Sequence, residues 1–141
     1  MELLYFGHAH LTRSADQVLA AQGLGRAHHR SLYFIARKPD LTVSELLSLL
    51  GITKQSLGRV ITELADRGLV ESRAGERDPR QRLLRLTPAG ATMESDLFEG
   101  VRKLMSAAYA NAGQTAVAGY WAVLEGLIPE SDRAQVVGLR D

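Results

Sequence analysis

Lys54, Gln55, Ser56, Arg59 and Thr62 lie in one short stretch of this chain. They are long or hydroxylic side chains, the types that reach phosphates and base edges of a nucleic acid. Leu57, Val60, Ile61 and Leu64 are interleaved with them at i, i+3, i+4, i+7 spacing, the signature of a helix with one buried stripe. The polar set falls on the other face. Gly58 sits among it and has no side chain to hold another backbone away. A solvated face on an ordinary helix is the bland alternative, and the neighbouring segments weigh against it.

Downstream, Arg73, Arg77, Arg80, Arg82 and Arg85 crowd one segment against Glu76 and Asp78, while the whole chain carries a formal net charge of only +1. A local basic excess of this kind suits phosphate or minor-groove contact.

The elements that must position these groups can be read on either side. Thr42 and Glu45 form a Thr-x-x-Glu capping box, so a helix starts at about Val43. Leu46, Leu47 and Leu50 give it an apolar face, and Gly51 ends it. Ile52 packs inward, Thr53 caps the next helix, and Gly68 stops that one. Leu69–Arg73 and Arg82–Thr87 can pair as antiparallel strands around a polar loop containing Gly75 and Pro79. Leu84 and Leu86 share one face, Arg85 and Thr87 the other. A very short strand at Leu41 is expected to join this sheet. The segment from about 41 to 87 therefore reads as a winged helix-turn-helix, a reader of double-stranded DNA.

Helices flank this reader. One is expected from about Glu2 to Gln22, with Leu4, Leu11 and Val18 forming a rough heptad seam. Gly23-Leu24-Gly25 interrupts it, and a second helix runs from about Arg26 to Lys38, ended by Pro39 and Asp40. Thr87-Pro88 starts a long helix to about Asn111, with Thr as N-cap and Pro at the first position. Another is expected from about Gln114 to Leu127, and a short one from Glu130 to Leu139. The flanks hold more apolar surface than the reader can cover.

The chain resembles the multiple-antibiotic-resistance regulator (MarR) family. The resemblance rests on Asp66-Arg67-Gly68-Leu69-Val70, on Arg77-Asp78-Pro79-Arg80-Gln81-Arg82 and on Leu86-Thr87-Pro88-Ala89-Gly90, in order over roughly the middle third of the chain. It implies that Asp78 braces the wing by pairing and that Arg80 enters the minor groove. Pro79 departs from the more usual charged or polar residue between them and stiffens the loop. The resemblance also implies that the first and last helices of two chains interlock as a homodimer, with an effector cleft between those helices and the reader.

Other chemistries fit less well. His8 and His10, or His28 and His29, diverge on a helix rather than converging on one ion, although His8 can meet His28 across two helices. No metal and no cofactor is expected. Tyr5, His8, His28 and Tyr33 are candidates for a small aromatic effector, against the plainer reading of such rings as core or interface. No nucleophile elbow or paired-acid pattern is present, so no catalytic residues are assigned and an enzyme is not expected.

The 141 residues suit one domain, expected to span 1–141, with about 1–24 and 88–141 as dimerisation helices. With 45% hydrophobic and 23% charged residues the composition is ordinary for a globular protein. No apolar run reaches membrane-span length, and Met1–Phe6 lacks the pattern of a signal peptide, so no membrane partner and a cytoplasmic location are expected. The absence of cysteine excludes disulfides and thiol-based sensing. The expectation is thus a mainly α fold with a small antiparallel β wing. Its function would be ligand-responsive, sequence-specific transcriptional regulation, as a homodimeric repressor on a near-palindromic operator. The alternative is a winged-helix protein–protein interaction module that binds no DNA.

Overall fold

A computed structural model describes residues 1–75 and 78–139. The order of elements is α1 (Glu2–Ala21), α2 (Arg26–Arg37), β1 (Leu41–Thr42), α3 (Val43–Leu50), α4 (Lys54–Asp66), β2 (Val70–Ala74), β3 (Arg82–Leu86), α5 (Pro88–Ala112), α6 (Gln114–Leu127) and α7 (Glu130–Val137).

The reader's helices start and stop where local chemistry dictates. The Glu45 amide donates to Thr42 Oγ1 at 3.1 Å, and the Glu45 carboxylate accepts from the Thr42 amide at 2.8 Å. Gly51 closes α3 in the left-handed conformation. Thr53 Oγ1 accepts from the Ser56 amide at the start of α4. The buried stripe of α4 is Leu57, Val60 and Leu64, with Ile61 partly covered.

The sheet has the order β1-β3-β2, all antiparallel. Val70 pairs with Leu86 and Ala74 with Arg82, while Leu41 pairs with Leu84 on the other side. Leu84 is fully buried and Leu86 partly buried, whereas Arg85 points out. The alternation seen in the sequence is therefore the alternation of the sheet.

One hydrophobic core joins the reader to three of the flanking helices. Ala15 and Leu19 of α1, Leu32 and Ile35 of α2 and Leu97 of α5 pack in the same cluster as Leu46, Leu57, Leu64 and Leu84. The start of α5 is pressed against the reader. Thr87 Oγ1 accepts from the Gly90 amide and donates to the Gly68 carbonyl, and the Thr87 amide donates to the Leu69 carbonyl. A Cβ on Gly90 would stand 1.9 Å from that Leu69 oxygen, so the helix can approach this closely only with glycine there.

The outer flanks are different. No residue of α6 or α7 is buried. Leu3, Leu4, Tyr5 and Phe6 of α1 are exposed, as are Tyr120, Trp121, Val123 and Leu127 of α6. In the expected α1 seam, Leu4 and Val18 face out, and Ala15 and Leu19 make the contacts within the chain. Among the described residues, no helix is long and apolar enough to cross a membrane. Nor do three His, Asp or Glu side chains among them gather as a metal site.

Candidate nucleic-acid interface

The five polar residues of α4 are all exposed, on the face opposite Leu57, Val60 and Leu64. Gln55, Arg59 and Thr62 form one stripe at i, i+4, i+7. Lys54 lies in the first turn. Two of the hydroxyls are already engaged: Ser56 Oγ accepts from Thr53 Oγ1 at 2.9 Å, and Thr62 Oγ1 donates to the Gly58 carbonyl at 2.9 Å. Ser56 keeps its own proton to donate, and Thr62 keeps its lone pairs to accept. Lys54, Gln55 and Arg59 have no hydrogen bond or ion pair among the described residues. A Cβ at Gly58 would meet open space, so the internal packing of the fold makes no demand for glycine at that position.

The wing is braced at its tip and at its base. At the tip, Asp78 Oδ1 accepts from the Arg80 amide at 2.9 Å, and the Asp78 carbonyl accepts from the Gln81 amide. The Arg80 guanidinium is left exposed. At the base, Arg73 and Arg85 both bond Asp40, at 3.0 Å and 2.5 Å. Asp40 takes a left-handed backbone with φ of 65°, which aspartate tolerates better than most residues. The Arg85 hydrogen bond, seconded by Arg73, holds the Asp40 carboxyl below its ordinary pKa.

This base adds one carboxylate, Asp40, to the charges of the hairpin. Arg73 and Arg85, each about half exposed, pair with a carboxylate 33 and 45 positions earlier in the chain, and Arg80 and Arg82 are exposed as well. Arg77, also expected at the interface, lies outside the described residues.

The four effector candidates occupy separate places. Tyr5 and His8 are exposed on the first turns of α1. His28 Nδ1 accepts from the Gly25 amide, and its Nε2 meets Glu63 Oε2 of α4 at 2.8 Å. Tyr33 stacks with Arg37, whose guanidinium lies 4.3 Å from the Tyr33 ring centroid and 4.8 Å from that of Phe98, while bonding the buried Glu94. A cavity of about 360 Å³ opens between α2, β3 and α5, lined by Ile35, Ala36, Pro39, Arg85, Leu86, Ala91 and Glu94. None of the four candidates lines it.

Sequence reasoning missed Asp40 as the partner of the wing-base arginines, Gly90 as the close contact between α5 and the reader, and Glu63 as the partner of His28. Only the Gly90 position carried a local signal, its place after the Thr87-Pro88 helix start. The others are polar residues whose partners are distant in sequence.

A helix pair with a three-stranded wing, its second helix presenting a polar face, defines a winged helix-turn-helix. A family model described as the MarR family matches residues 22–81. The HTH-type transcriptional regulator PetP of Rhodobacter capsulatus is 48% identical over 141 residues, all of this chain and 85% of that protein. Among solved structures, a cysteine-to-serine mutant of MarR from E. coli complexed with operator DNA matches with a TM-score of 0.70 at 23% identity, over 91% of this chain and 92% of that one. A MarR family regulator from Silicibacter pomeroyi matches with a TM-score of 0.74 at 21% identity, over 89% and 84%. The chain belongs to the MarR family of DNA-binding transcriptional regulators, a non-enzymatic class.

Proposed function

We propose that this chain is a ligand-responsive repressor that acts in the cytoplasm as a homodimer on a near-palindromic operator. The observation that carries the DNA reading is the stripe Gln55, Arg59 and Thr62, outward on a helix whose other face is core. Gln55 and Arg59 are suited to paired hydrogen bonds with base edges in the major groove. Lys54, Ser56 and Thr62 are suited to phosphates at its margins. Arg80, on a braced tip, is suited to a narrow minor groove, with Arg77 beside it in the sequence and Asp78 as the brace. No large apolar side chain is exposed on α4, and this disfavours a protein-binding module.

The dimer is supported by the exposed apolar ends of α1 and α6, which one chain leaves in water. In this reading 41–87 is the reader, and 1–24 with 88–141 are the dimerisation helices of one domain. A two-fold dimer reads half-sites about one helical turn, or a multiple, apart. Ligand response is supported by the cavity beside β3, whose wall includes Arg85 of the wing base. Of Tyr5, His8, His28 and Tyr33, the one placed to feel an occupant is Tyr33, through Arg37 and Glu94.

Selection of bound duplexes from a random pool, with light scattering of the free protein, tests the proposal. The expected outcome is a near-palindrome bound by a particle of twice the 15.4 kDa chain mass. A clean monomer, or a pool without two-fold symmetry, overturns it. Repeating the selection with small aromatic ligands tests the response.

A further inference from the structure

The junction between α1 and α2 is bonded to the recognition helix α4 at two points one helical turn apart. The first is His28. Its Nδ1 accepts from the Gly25 amide at 3.1 Å, capping the start of α2. In the neutral ring the remaining proton then sits on Nε2 and is donated to Glu63 Oε2 at 2.8 Å. A single ring thus fixes the start of α2 and the outer half of α4. The His28 side chain is 13% exposed and that of Glu63 52%, so the ring is held by its surroundings while the carboxylate reaches it from the surface. The second point is Arg67, the C-cap of α4, which donates from Nη1 to the Gln22 carbonyl at 2.6 Å. Gln22 is the C-cap of α1, where a cation also meets the negative end of the helix dipole.

Glu63 and Arg67 make no use of the groove-facing stripe of Gln55, Arg59 and Thr62. They point back toward the helix whose other end carries Leu3, Leu4, Tyr5 and Phe6 exposed. Asp16 and Arg26 stiffen the same junction, with Arg26 Nη2 at 2.7 Å from the Asp16 carboxylate. These bonds join the C-terminal end of α1 and the start of α2 to the C-terminal half of α4, and Ala15 and Leu19 of α1 pack in the same core as Leu57 and Leu64 of α4, so a displacement of α1 is passed on rather than absorbed.

We infer that His28 and Arg67 are positioning residues: through Glu63 and Gln22 they make the α1–α2 junction a strut that sets where each recognition helix of the dimer stands, and hence which half-site spacing is read. This rests on the homodimer proposed above. The strut acts on spacing, while base preference within a half-site belongs to Gln55 and Arg59.

The test compares binding to operators whose half-site separation is native or lengthened by one and two base pairs. Glu63→Ala removes the tether and leaves the His28 cap. His28→Gln keeps a cap, because glutamine at the third helical position can reach back to the N-cap amide, and gives up the reach to α4. Each should lower the discrimination between spacings about three- to ten-fold, the range for one lost hydrogen bond. Glu63→Gln should keep the wild-type ratio, since its carbonyl still accepts from Nε2. Glu63→Gln also removes the charge, so a loss confined to Glu63→Ala separates tether from electrostatics. Preference within a single half-site should not change in any variant. Wild-type ratios in both Glu63→Ala and His28→Gln overturn the inference, as does a loss in Glu63→Gln equal to that in Glu63→Ala. If the wild type itself ignores spacing, the two-site dimer fails and the inference falls with it. Circular dichroism of each variant checks folding, and two variants on opposite ends of one bond guard against the failure of either.

Discussion

The reader and its outer flanking helices dispose of apolar surface in opposite ways. In the reader, Leu41, Leu46, Leu57, Leu64 and Leu84 are each at most 1% exposed, and what faces out is polar. In the flanks, Leu3 is 92% exposed and Leu127 67%. The reader is folded by its own chain together with α1, α2 and α5. The start of α1 and much of α6 leave apolar side chains in water, although Val117 and Leu124 of α6 are partly covered. A helix draws most of its stability from packing its apolar face, so these segments call for surface from outside the protomer. The same kind of residue therefore means core in one region and proposed interface in the other.

The largest expected effect separates the two regions. Leu4→Asp places a charge where the side chain is already exposed, so the protomer should still fold. The proposed dimer should not form, and operator affinity should fall by about 100-fold or more, the loss of effective concentration for a second site. Light scattering and a binding titration check both. An aspartate variant that remains a dimer with full affinity would break the comparison.

The second effect lies on the reader's side. Gly90→Ala drives a methyl group into the Leu69 carbonyl oxygen, which is held by the Thr87 amide. Overpacking against backbone should cost about 1–3 kcal/mol, read by denaturant unfolding. Unchanged stability would mean that α5 is not clamped to the reader as described.

The third sharpens the reader itself. Arg59→Ala should cost about 1–3 kcal/mol at particular base pairs of the half-site, with fold stability nearly unchanged. Arg80→Ala should weaken all sequences, most where the flanks are A/T-rich, and make the salt dependence shallower by about 0.9 per chain. Titrations against operator and scrambled duplexes at several salt concentrations distinguish the two. If Arg80→Ala binds as wild type at every salt, the wing tip is not at the groove.

The smallest effect concerns acid. The Lys38 ammonium, then the Thr42 hydroxyl and amide, pull the Glu45 carboxyl from an ordinary 4.5 down to about 2. A carboxyl depressed on folding contributes stability that is fully present above about pH 5 and lost as the pH falls toward 2. Its exposure to solvent limits the contribution to about 1 kcal/mol or less. Glu45→Gln keeps the cap but should remove this part of the acid loss, as seen by melting between pH 6 and pH 3. An identical pH slope in the variant would refute the assignment.

Legibility followed the range of the interaction. The Thr42–Glu45 box, the Thr53 cap, the Leu57–Leu64 stripe and the Thr87-Pro88 start each act within one or two helical turns, and each stands where the sequence placed it. The wing strands were legible because alternation is local, and their register follows from Leu84 facing the core. The partner of the wing-base arginines was not legible for the opposite reason. Asp40 reaches Arg73 and Arg85 across 33 and 45 positions, and nothing near Asp40 announces it.

The sequence by itself thus determined the elements, the polar stripe of α4 and the wing that accompanies it. Caps, periodicity and turn residues are properties of neighbouring positions. Tertiary structure alone decided which arginines pair with Asp40, why Gly90 must be glycine, and that His28 belongs to Glu63. Those outcomes depend on backbone approach and on pairing between segments far apart in the chain, and only the packed core of α1, α2, α5 and the reader brings those segments together.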